Sequence, residues 1–347
     1  MPDRFDVIII GGGVIGASIA WRLARNSFRV LLLDASTIGS EASSAAAGML
    51  SPAGEFEDPA LRDFAVASLT MYPAFIREIE ADSRLTVEFR QTGAVELTPD
   101  PRPGSRLLTS EELRALAPLV RHDAGAIYFP DDAIVDPAGL MIALRSACLT
   151  RGVCVRENCP VAEIRADSEG ATIAGARARS AVLAAGAWSS ACAVTIDGRP
   201  WPLPRSFPMK GHLLGYRLPA GSLATTVRHG HTYVLQRADG FTIAGSSTEN
   251  VGYDRTIDQE IVSSIAARAA ELVPTLRGLQ PESIWIGFRP ATGAAVPNND
   301  APAPNIGRVP SSRLWLAYGH YRNGILLAPA TCHRICREIA ATLAVTA

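Results

Sequence analysis

The N-terminal stretch Asp6–Ala24 constrains the fold more than any other part of the chain. Its first part, Val7–Ile10, is a run of β-branched residues, which is typical of a strand buried on both faces of a parallel sheet. Gly11, Gly13 and Gly16 follow at the spacing of the dinucleotide fingerprint. These three glycines permit a tight turn, the close approach of a pyrophosphate and the packing of a helix on a strand. The phosphates would lie at a helix N-terminus, where free N–H groups and the helix dipole favour an anion.

The residues that follow favour a nucleotide-binding strand–helix–strand unit. Ile15, Ile19 and Leu23 recur with the period of one helical face, and Phe28–Leu33 predicts a second strand that ends at Asp34. An acidic residue in this position accepts hydrogen bonds from the ribose hydroxyls of adenosine. The chain is therefore expected to bind a dinucleotide, and the motif by itself leaves NAD and FAD open.

Composition narrows the class of protein. The chain has 347 residues, of which 48% are hydrophobic, so it is long enough for one large domain or two interleaved domains. The formal net charge is −1, which gives no electrostatic reason to expect nucleic acid or an anionic membrane as a partner. Lys210 is the single lysine among 33 basic residues, so any one arginine carries little information by itself.

The cysteines and the apolar runs exclude further classes. The six cysteines show neither a Cys-x-x-Cys pair nor histidines at ligand spacing, and small buried side chains in a reducing cytoplasm explain them better than a metal site. No stretch reaches the ~18 consecutive apolar residues of a membrane-spanning helix. The N-terminal apolar run begins after Asp3 and Asp6 and carries the glycine motif, so it differs from a signal peptide, and the cytoplasm is the expected location.

The stretch Ala35–Glu55 bears on the choice between the two dinucleotides. It consists mostly of small residues, and its part Ser43–Leu50 contains good helix formers and no proline. Small side chains allow a backbone to lie close to a flat ring system. An NAD domain would continue with another crossover unit, whereas this chain leaves the sheet, and FAD is therefore the expected cofactor.

Three stretches carry a resemblance to a known family: the glycine motif, the run Ser44–Leu50, and the block His320-Tyr-Arg-Asn-Gly-Ile-Leu-Leu-Ala-Pro-Ala-Thr331. They resemble the FAD-dependent D-amino-acid oxidase superfamily, and within it they are most similar to the glycine oxidases that supply bacterial thiazole (thiamine) synthesis. The resemblance extends from the N-terminus to Cys336 and so covers nearly the whole chain.

The resemblance implies a two-domain α/β flavoprotein. Its Rossmann-like FAD-binding domain would be discontinuous, at 1–83, 127–202 and 290–347, and a mixed-sheet substrate domain would occupy 84–126 and 203–289. FAD would be bound noncovalently, since no His or Cys stands where some relatives attach the flavin.

The implied reaction is oxidation of the C–N bond of glycine or a related small amino acid by hydride transfer to flavin N5. It would give an imine that hydrolyses to a 2-oxo acid and an amine or ammonia, and hydrogen peroxide when oxygen reoxidises the flavin. The implied partners are a small amino-acid substrate, oxygen and further copies of the chain in a homo-oligomer, with no nucleic acid and no membrane.

The resemblance also assigns site residues. Arg289 aligns with the arginine that binds the substrate carboxylate, a task for which the planar guanidinium suits better than an ammonium. Tyr233 matches the tyrosine whose hydroxyl reaches the same carboxylate, and Arg322 would meet both substrate and flavin. The expected cofactor-binding residues are Gly11, Gly13, Val14, Ile15, Gly16, Asp34, Ala35, Ala42, Ser43, Ala47, Gly48, Met49, Val161, Ala185, Gly186, Trp188, His320, Tyr321, Arg322, Asn323, Gly324 and Ile325.

Two departures from the glycine oxidase pattern leave the substrate open. Thr248 stands where glycine oxidases carry an apolar side chain, and the loop Ala291–Asn305 is several residues longer than usual. N-substituted glycines and small D-amino acids therefore remain candidates beside glycine. Three other functions also remain: a dehydrogenase that passes electrons to a partner, a non-catalytic FAD-holding subunit, and an NAD-dependent reductase, which the stretch Ser43–Leu50 disfavours.

Periodicity and breaker residues predict further elements. Arg289 is expected to end a strand because Pro290 follows it. The resemblance implies that Lys210 lies in a structural turn. His231 and His320 are expected near the site, and the mechanism that the resemblance implies needs neither of them as a base. The predicted helices are Leu61–Ile79, Ala138–Thr150 and Gln259–Glu271. The predicted strands are Gly211–Leu218, Thr232–Gln236, Phe241–Ala244 and Ser283–Phe288. A proline-rich loop is predicted at Asn298–Pro304.

Overall fold

A computed structural model describes residues 4–53, 56, 58–120, 125–293 and 303–344. All of the predicted loop Asn298–Pro304 except its last two residues therefore lies outside the described residues. The helices are α1 (Val14–Arg25), α2 (Ala42–Ala45), α3 (Pro59–Ser83), α4 (Ser110–Leu116), α5 (Pro137–Thr150), α6 (Gln259–Leu272) and α7 (Gly324–Ala344). The strands are β1 (Arg4–Ile10), β2 (Val30–Leu33), β3 (Met49–Leu50), β4 (Phe89–Arg90), β5 (Ala94–Glu96), β6 (Arg106–Leu108), β7 (Ala126–Phe129), β8 (Ala133–Val135), β9 (Cys154–Arg156), β10 (Glu163–Ala166), β11 (Ala171–Ile173), β12 (Ala176–Leu183), β13 (Ala193–Ile196), β14 (Arg199–Pro200), β15 (Ser206–Arg217), β16 (Thr226–His229), β17 (Thr232–Gln236), β18 (Phe241–Gly245), β19 (Ser283–Thr292), β20 (Asn305–Arg308) and β21 (Leu314–Tyr318).

The first sheet is built around β1. Its order is β14-β13-β10-β11-β12-β1-β2-β9, and β21 pairs in parallel with β12 and carries β20 on its other side. β1 runs parallel to both β12 and β2. Val7, Ile8 and Ile9 are fully buried, because helices cover one face and a second layer of apolar residues covers the other. The predicted doubly buried parallel strand is thus confirmed.

The second sheet has the order β19-β15-β18-β17-β16-β5-β7-β6. A small third sheet has the order β3-β8-β4. The longest pairing joins β15 to β19, from Ser206 opposite Thr292 to Gly215 opposite Ser283. The helix α6 packs its buried residues Val262, Ile265 and Ala269 against one face of this sheet.

Two predictions about this sheet are wrong. Arg289 lies inside β19, which continues to Thr292, because Pro290 stands opposite Pro208 and removes no ladder hydrogen bond. Every second N–H group of β15, counted from Pro208, points away from β19. Lys210 shows this, because its N–H donates to the Glu249 carbonyl at 2.9 Å and not to β19. Lys210 itself is buried in the middle of β15 and not in a turn.

The helix predictions are confirmed, with shifts at their ends. α3 is longer than predicted and continues through Pro73, and α5 starts at Pro137 with the Asp136 side chain as its cap. The good helix formers of Ser43–Leu50 give only the one-turn helix α2, after which the chain extends into β3.

The domain division stays a prediction, and the sheets suggest where to move it. β7 crosses the predicted boundary between residues 126 and 127, and β19 crosses the one between 289 and 290. Both strands belong to the second sheet. We therefore propose boundaries after Phe129 and after Thr292.

A break in α7 joins this helix to α3. Pro329 has no N–H to donate to the carbonyl of Ile325, and the Tyr72 hydroxyl donates to that oxygen at 2.6 Å. The Ser68 hydroxyl donates to the Leu326 carbonyl at 2.7 Å and accepts from the Ala330 N–H at 3.1 Å. Both hydroxyls are buried, so they satisfy backbone groups that no water reaches. Burial also raises the pKa of Tyr72, which keeps its hydroxyl a donor.

We expect Tyr72→Phe to lower the free energy of unfolding by about 1–3 kcal/mol, because the Ile325 carbonyl would be left buried without a donor. The measurement is urea unfolding of the cofactor-bound protein. Tyr128→Phe is the control, since no hydrogen bond of its hydroxyl is found among the described residues, and it should change the free energy by less than about 0.5 kcal/mol. Equal effects of the two substitutions would contradict the assignment.

Candidate active site

A cavity of about 600 Å³ lies between the first and second sheets. The carboxyl ends of β1, β2, β12 and β21 open into it, which is where parallel sheets bind their ligands. The second sheet contributes Gly211, Tyr233, Gly287 and Arg289 from strands β15, β17 and β19. The structure therefore brings the predicted site residues together around one space, with the exception of Gly16, which is not among the lining residues.

The glycine motif meets the cavity through backbone. Gly11 has a φ of +100°, and a Cβ there would lie 2.4 Å from the Ala184 carbonyl oxygen, so no side chain fits. A Cβ on Gly16 would lie 1.9 Å from the Gly11 carbonyl oxygen. Gly16 thus serves the packing of helix on strand and does not reach a ligand. Gly13 caps α1 without a side-chain hydrogen bond of its own, so apart from the Val14 N–H, which donates to the Ser43 Oγ, this helix end can face an anion.

Asp34 is fixed at the end of β2. Its Oδ2 accepts from the Gly12 N–H at 2.6 Å and its Oδ1 accepts from the Ser36 N–H at 2.7 Å. Each oxygen keeps a second lone pair, so the carboxylate can still accept from a ribose hydroxyl. Ser43 is held nearby, because its Oγ accepts from the Val14 N–H at 2.9 Å.

The small-residue segment 42–49 runs between the two sheets, and contacts from both sides fix it. The Arg237 guanidinium, 6% exposed, donates to the Val135 carbonyl at 2.6 Å and to the Ala47 carbonyl at 2.5 Å. Gly48 has a φ of +88°, and a Cβ there would lie 2.0 Å from the Val135 carbonyl oxygen. The Trp285 Nε1 donates to the Ala45 carbonyl at 3.0 Å. The backbone thus lies along the cavity with little side-chain bulk.

A bare strip on the second sheet faces the cavity. Gly211 of β15 and Gly287 of β19 are directly opposite each other. A Cβ on Gly287 would lie 2.9 Å from the Ala45 Cβ, and one on Gly211 would lie 2.3 Å from Nη1 of Arg289. The Arg289 side chain therefore lies flat across Gly211. Its Nη1 donates to the Ser247 carbonyl at 2.9 Å and its Nη2 to the Ser246 Oγ at 3.0 Å.

Tyr233 and Arg322 also line the cavity. A Cβ on Gly245 would lie 2.8 Å from the Tyr233 Oη, so the ring lies over this glycine at the end of β18. Tyr233 is half-buried, whereas Arg322 is exposed and lies over the Tyr321 ring at 5.9 Å. Of the two, Tyr233 is the better placed to contact a ligand inside the cavity.

The block 319–325 forms the wall beneath α7. Tyr321 has a φ of +51°, an unfavourable conformation for a bulky residue, and it lies in a short 3₁₀ turn, Tyr321–Asn323, just before α7. The Asn323 side chain is 5% exposed, and its Nδ2 finds no acceptor among the described residues. A buried amide without an acceptor is costly. Together with the open end of α1, this donor fits a bound flavin dinucleotide.

His320 is buried beside this wall. Its Nε2 lies 3.1 Å from the Thr331 Oγ1, and burial lowers the pKa of His320 to about 3. The ring is therefore neutral at ordinary pH, and it orients the turn before α7. The expectation that His320 is not needed as a base stays a prediction.

Several residues in or next to the cavity lining have no sequence signal. Arg255 forms an ion pair with Glu41 at 2.7 Å, although the two are 214 positions apart. Tyr253 stacks on Trp188 with ring centroids 5.1 Å apart and donates to the Ala187 carbonyl at 2.9 Å. These contacts tie the loop before α6 to the first sheet. Only the fold brings such distant residues together, so no local pattern reveals them.

Within the described residues, no group of three or more His, Cys, Asp or Glu side chains is arranged to hold a metal ion. None of the helices in the same part of the chain has the length and hydropathy needed to span a membrane.

Comparison with known proteins shows where this arrangement recurs. The model of the family described as FAD dependent oxidoreductase (DAO) matches residues 6–338. The chain is 33% identical to the glycine oxidase of Geobacillus kaustophilus, over 95% of this chain and 92% of that protein. It is 34% identical to the bifunctional ThiO/ThiG protein of a Synechocystis species, over 95% of this chain and 51% of that longer protein. The crystal structure of the Geobacillus kaustophilus glycine oxidase matches with a TM-score of 0.86 at 30% identity, covering 97% of this chain and 95% of that one.

The lowered pKa of His320 predicts a pH dependence of stability. Below the ordinary histidine pKa of about 6.5 the unfolded chain binds a proton that the native state excludes until about pH 3, so the free energy of unfolding falls as the pH decreases through this range. Between pH 7.5 and 5, we expect the free energy of unfolding of wild type to fall by about 2 kcal/mol more than that of His320→Asn. Urea unfolding at the two pH values measures this difference. His333→Asn, at an exposed position, should leave that loss unchanged. Identical pH profiles for wild type and His320→Asn would refute the assignment.

Proposed function

Because this chain belongs to the family of FAD-dependent oxidoreductases, we propose that its cavity oxidises the C–N bond of glycine or of a related small or N-substituted amino acid. One observation carries the proposal. Arg289, which has N–H groups available for a ligand, lies on the bare strip of the same cavity into which the glycine motif opens. The cavity thus joins a carboxylate-binding group to a dinucleotide-binding edge.

Arg289 has the donors that a carboxylate needs. Two of its five N–H groups are used by Ser246 and Ser247, which leaves three for a ligand. In the described part of the chain, no carboxylate forms an ion pair with it. A substrate carboxylate would supply the missing charge through two parallel hydrogen bonds. The Tyr233 hydroxyl, which lines the same cavity, would bind that carboxylate as well.

The residues of the first sheet would hold FAD noncovalently. Gly11 and Gly13 would approach the pyrophosphate, Asp34 the ribose, and Asn323 the flavin end. When bound, FAD supplies the acceptor for the hydride that leaves the substrate α-carbon. The protein supplies orientation and a partly closed space, and no side chain has to act as a base once the substrate amine is neutral. Release of the yellow cofactor on acid precipitation would verify the noncovalent attachment.

An N-substituted glycine is the second candidate substrate, and a specific observation favours it. A second cavity of about 1010 Å³ adjoins the first and shares Gly230, His231, Thr232, Ser246, Thr248 and Tyr321 with it. Thr248, which departs from the glycine oxidase pattern, thus stands between the two spaces. A substituent on the substrate nitrogen would find room beyond Thr248.

Anaerobic mixing of the holoenzyme with amines tests the function. We expect glycine, sarcosine, N-ethylglycine and D-alanine to differ in the rate at which they bleach the flavin absorbance, and the fastest of them identifies the substrate class. Restoration of the yellow colour by air, with peroxide formed in equal amount, is the result expected of an oxidase. Bleaching without rapid reoxidation would identify a dehydrogenase. No bleaching with any of the amines would refute the proposal.

Gly211→Ala tests the position of Arg289 without touching its charge. The new methyl group would displace the guanidinium, and the loss of a charged hydrogen-bond pair corresponds to a fall in kcat/KM of about 10- to 100-fold. FAD content, measured by absorbance, should not change. Gly215→Ala is the control: its Cβ would lie 2.4 Å from the Ser283 Oγ, an equal crowding on the same strand outside the cavity. Equal kcat/KM for both variants and wild type would contradict the role of Arg289.

A further inference from the structure

A cluster of charged side chains lies on the opposite face of β15 from the bare strip. Strand alternation turns Gly211 towards the cavity and Lys210 and His212 away from it. Lys210 is 2% exposed and His212 is fully buried. The Lys210 Nζ donates to the Thr256 carbonyl at 2.9 Å and to the Asp254 Oδ2 at 3.3 Å, and it lies 3.6 Å from the Glu249 Oε2. The only lysine of the chain thus has two carboxylate partners.

The hydrogen bonds of His212 define where its proton is. The Asp258 N–H donates to Nε2 at 3.1 Å, so this nitrogen carries a lone pair and the ring proton is on Nδ1. The Nδ1–H then donates towards the Glu249 Oε1 at 2.9 Å. The Ser247 hydroxyl donates to the same oxygen at 2.5 Å and accepts from the His212 N–H at 2.9 Å. Glu249 is therefore held by a histidine, a serine and a lysine.

This cluster fixes the backbone that contacts Arg289. The segment 246–249 continues beyond the end of β18, and its last residue pairs with β15 through two hydrogen bonds of 2.9 Å between the backbones of Lys210 and Glu249. Ser246 and Ser247 supply the acceptors for the two Nη atoms of Arg289. Ser247 therefore connects the buried cluster, through its hydroxyl, to the guanidinium, through its carbonyl.

The same cluster holds the loop before α6. The bonds of Lys210 to Asp254 and Thr256 flank Arg255, which pairs with Glu41 across the cavity. Hydrogen bonds from Thr256 and from Lys210 lower the pKa of Asp254 to about 2, so this carboxylate stays charged. The loop and the segment 246–249 are both attached to one ammonium.

We propose that Lys210, His212 and Glu249 are positioning residues that orient the Arg289 guanidinium from behind the sheet, by fixing its acceptors on Ser246 and Ser247. This rests on the proposed function, in which Arg289 binds the substrate carboxylate. A guanidinium whose Nη acceptors are fixed presents its remaining N–H groups in one orientation. Ion clusters of this kind add little to stability compared with apolar packing, so orientation gives the cluster a role that stability alone does not.

The test is the binding of acetate, a carboxylate that the enzyme cannot oxidise, to the FAD-bound protein. Acetate binding would be followed by its perturbation of the flavin absorbance, and methylamine, which lacks a carboxylate, would be measured in parallel. We expect Glu249→Gln to raise the Kd of acetate about tenfold and to leave that of methylamine within about twofold. Ser247→Ala, which removes the hydroxyl and keeps the carbonyl, should give a smaller change in the same direction and serves if Glu249→Gln does not fold.

Asp82→Asn is the matched control. Asp82 is a buried carboxylate, 4% exposed, that accepts from the Trp21 Nε1 at 2.8 Å and from Arg151, and it lines neither cavity. It should lower stability and leave both Kd values unchanged.

The Arg289→Met background separates orientation from general damage. There, acetate should bind weakly and Glu249→Gln should have no further effect, because the group that it orients is gone. Unchanged acetate binding in Glu249→Gln and Ser247→Ala, with Arg289→Met still weakening it, would overturn the positioning proposal alone. Unchanged acetate binding in Arg289→Met would overturn the proposed function itself.

Discussion

The absence of two side chains is the constraint on which the site depends. Gly211 and Gly287 face each other across β15 and β19, and any Cβ there would strike the Arg289 guanidinium or Ala45. The bare strip lets an arginine lie flat on a sheet and lets the segment 42–49 pass close to it. A flat ligand and a carboxylate can therefore be bound against backbone, with no bulky side chain between them.

The course of the segment 42–49 depends on a buried arginine, Arg237. Arg237 belongs to the second sheet side of the cavity, and it donates to carbonyls of Val135 and Ala47. Burial lowers the pKa of Arg237, because the charged guanidinium is removed from water. Its two short hydrogen bonds fix the course of the segment that separates the dinucleotide edge from the bare strip. Arg255 and Glu41, which form an ion pair, line the same space.

The parts of the site that depend on local rules follow from the sequence. The turn at Gly11 and the acidic end of β2 at Asp34 are specified within one strand–helix–strand unit, so spacing alone predicts them. The role of Arg289 follows from the family resemblance and not from a local pattern. Its place inside β19 does not follow from Pro290, because a proline interrupts a strand only where its N–H would join the ladder, and the pair Pro208–Pro290 is not such a position. The turn that the resemblance implies for Lys210 is wrong, and no local pattern corrects it, because the carboxylates that surround this residue come from loops some 40 residues later and leave no periodic trace. The glycine motif is thus predictable from the sequence, whereas the contacts that only the sheet pairing creates are not.

The most direct measurement is a crystal structure of the FAD-bound protein with acetate. We expect FAD in the cavity between the sheets, with its pyrophosphate at Gly11 and Gly13, and the acetate carboxylate held by two N–H groups of Arg289 over the bare strip. Acetate bound away from Arg289, or FAD bound outside this cavity, would contradict it. Either result would show that the carboxylate site and the dinucleotide edge are not close together. The proposed oxidation requires that they are.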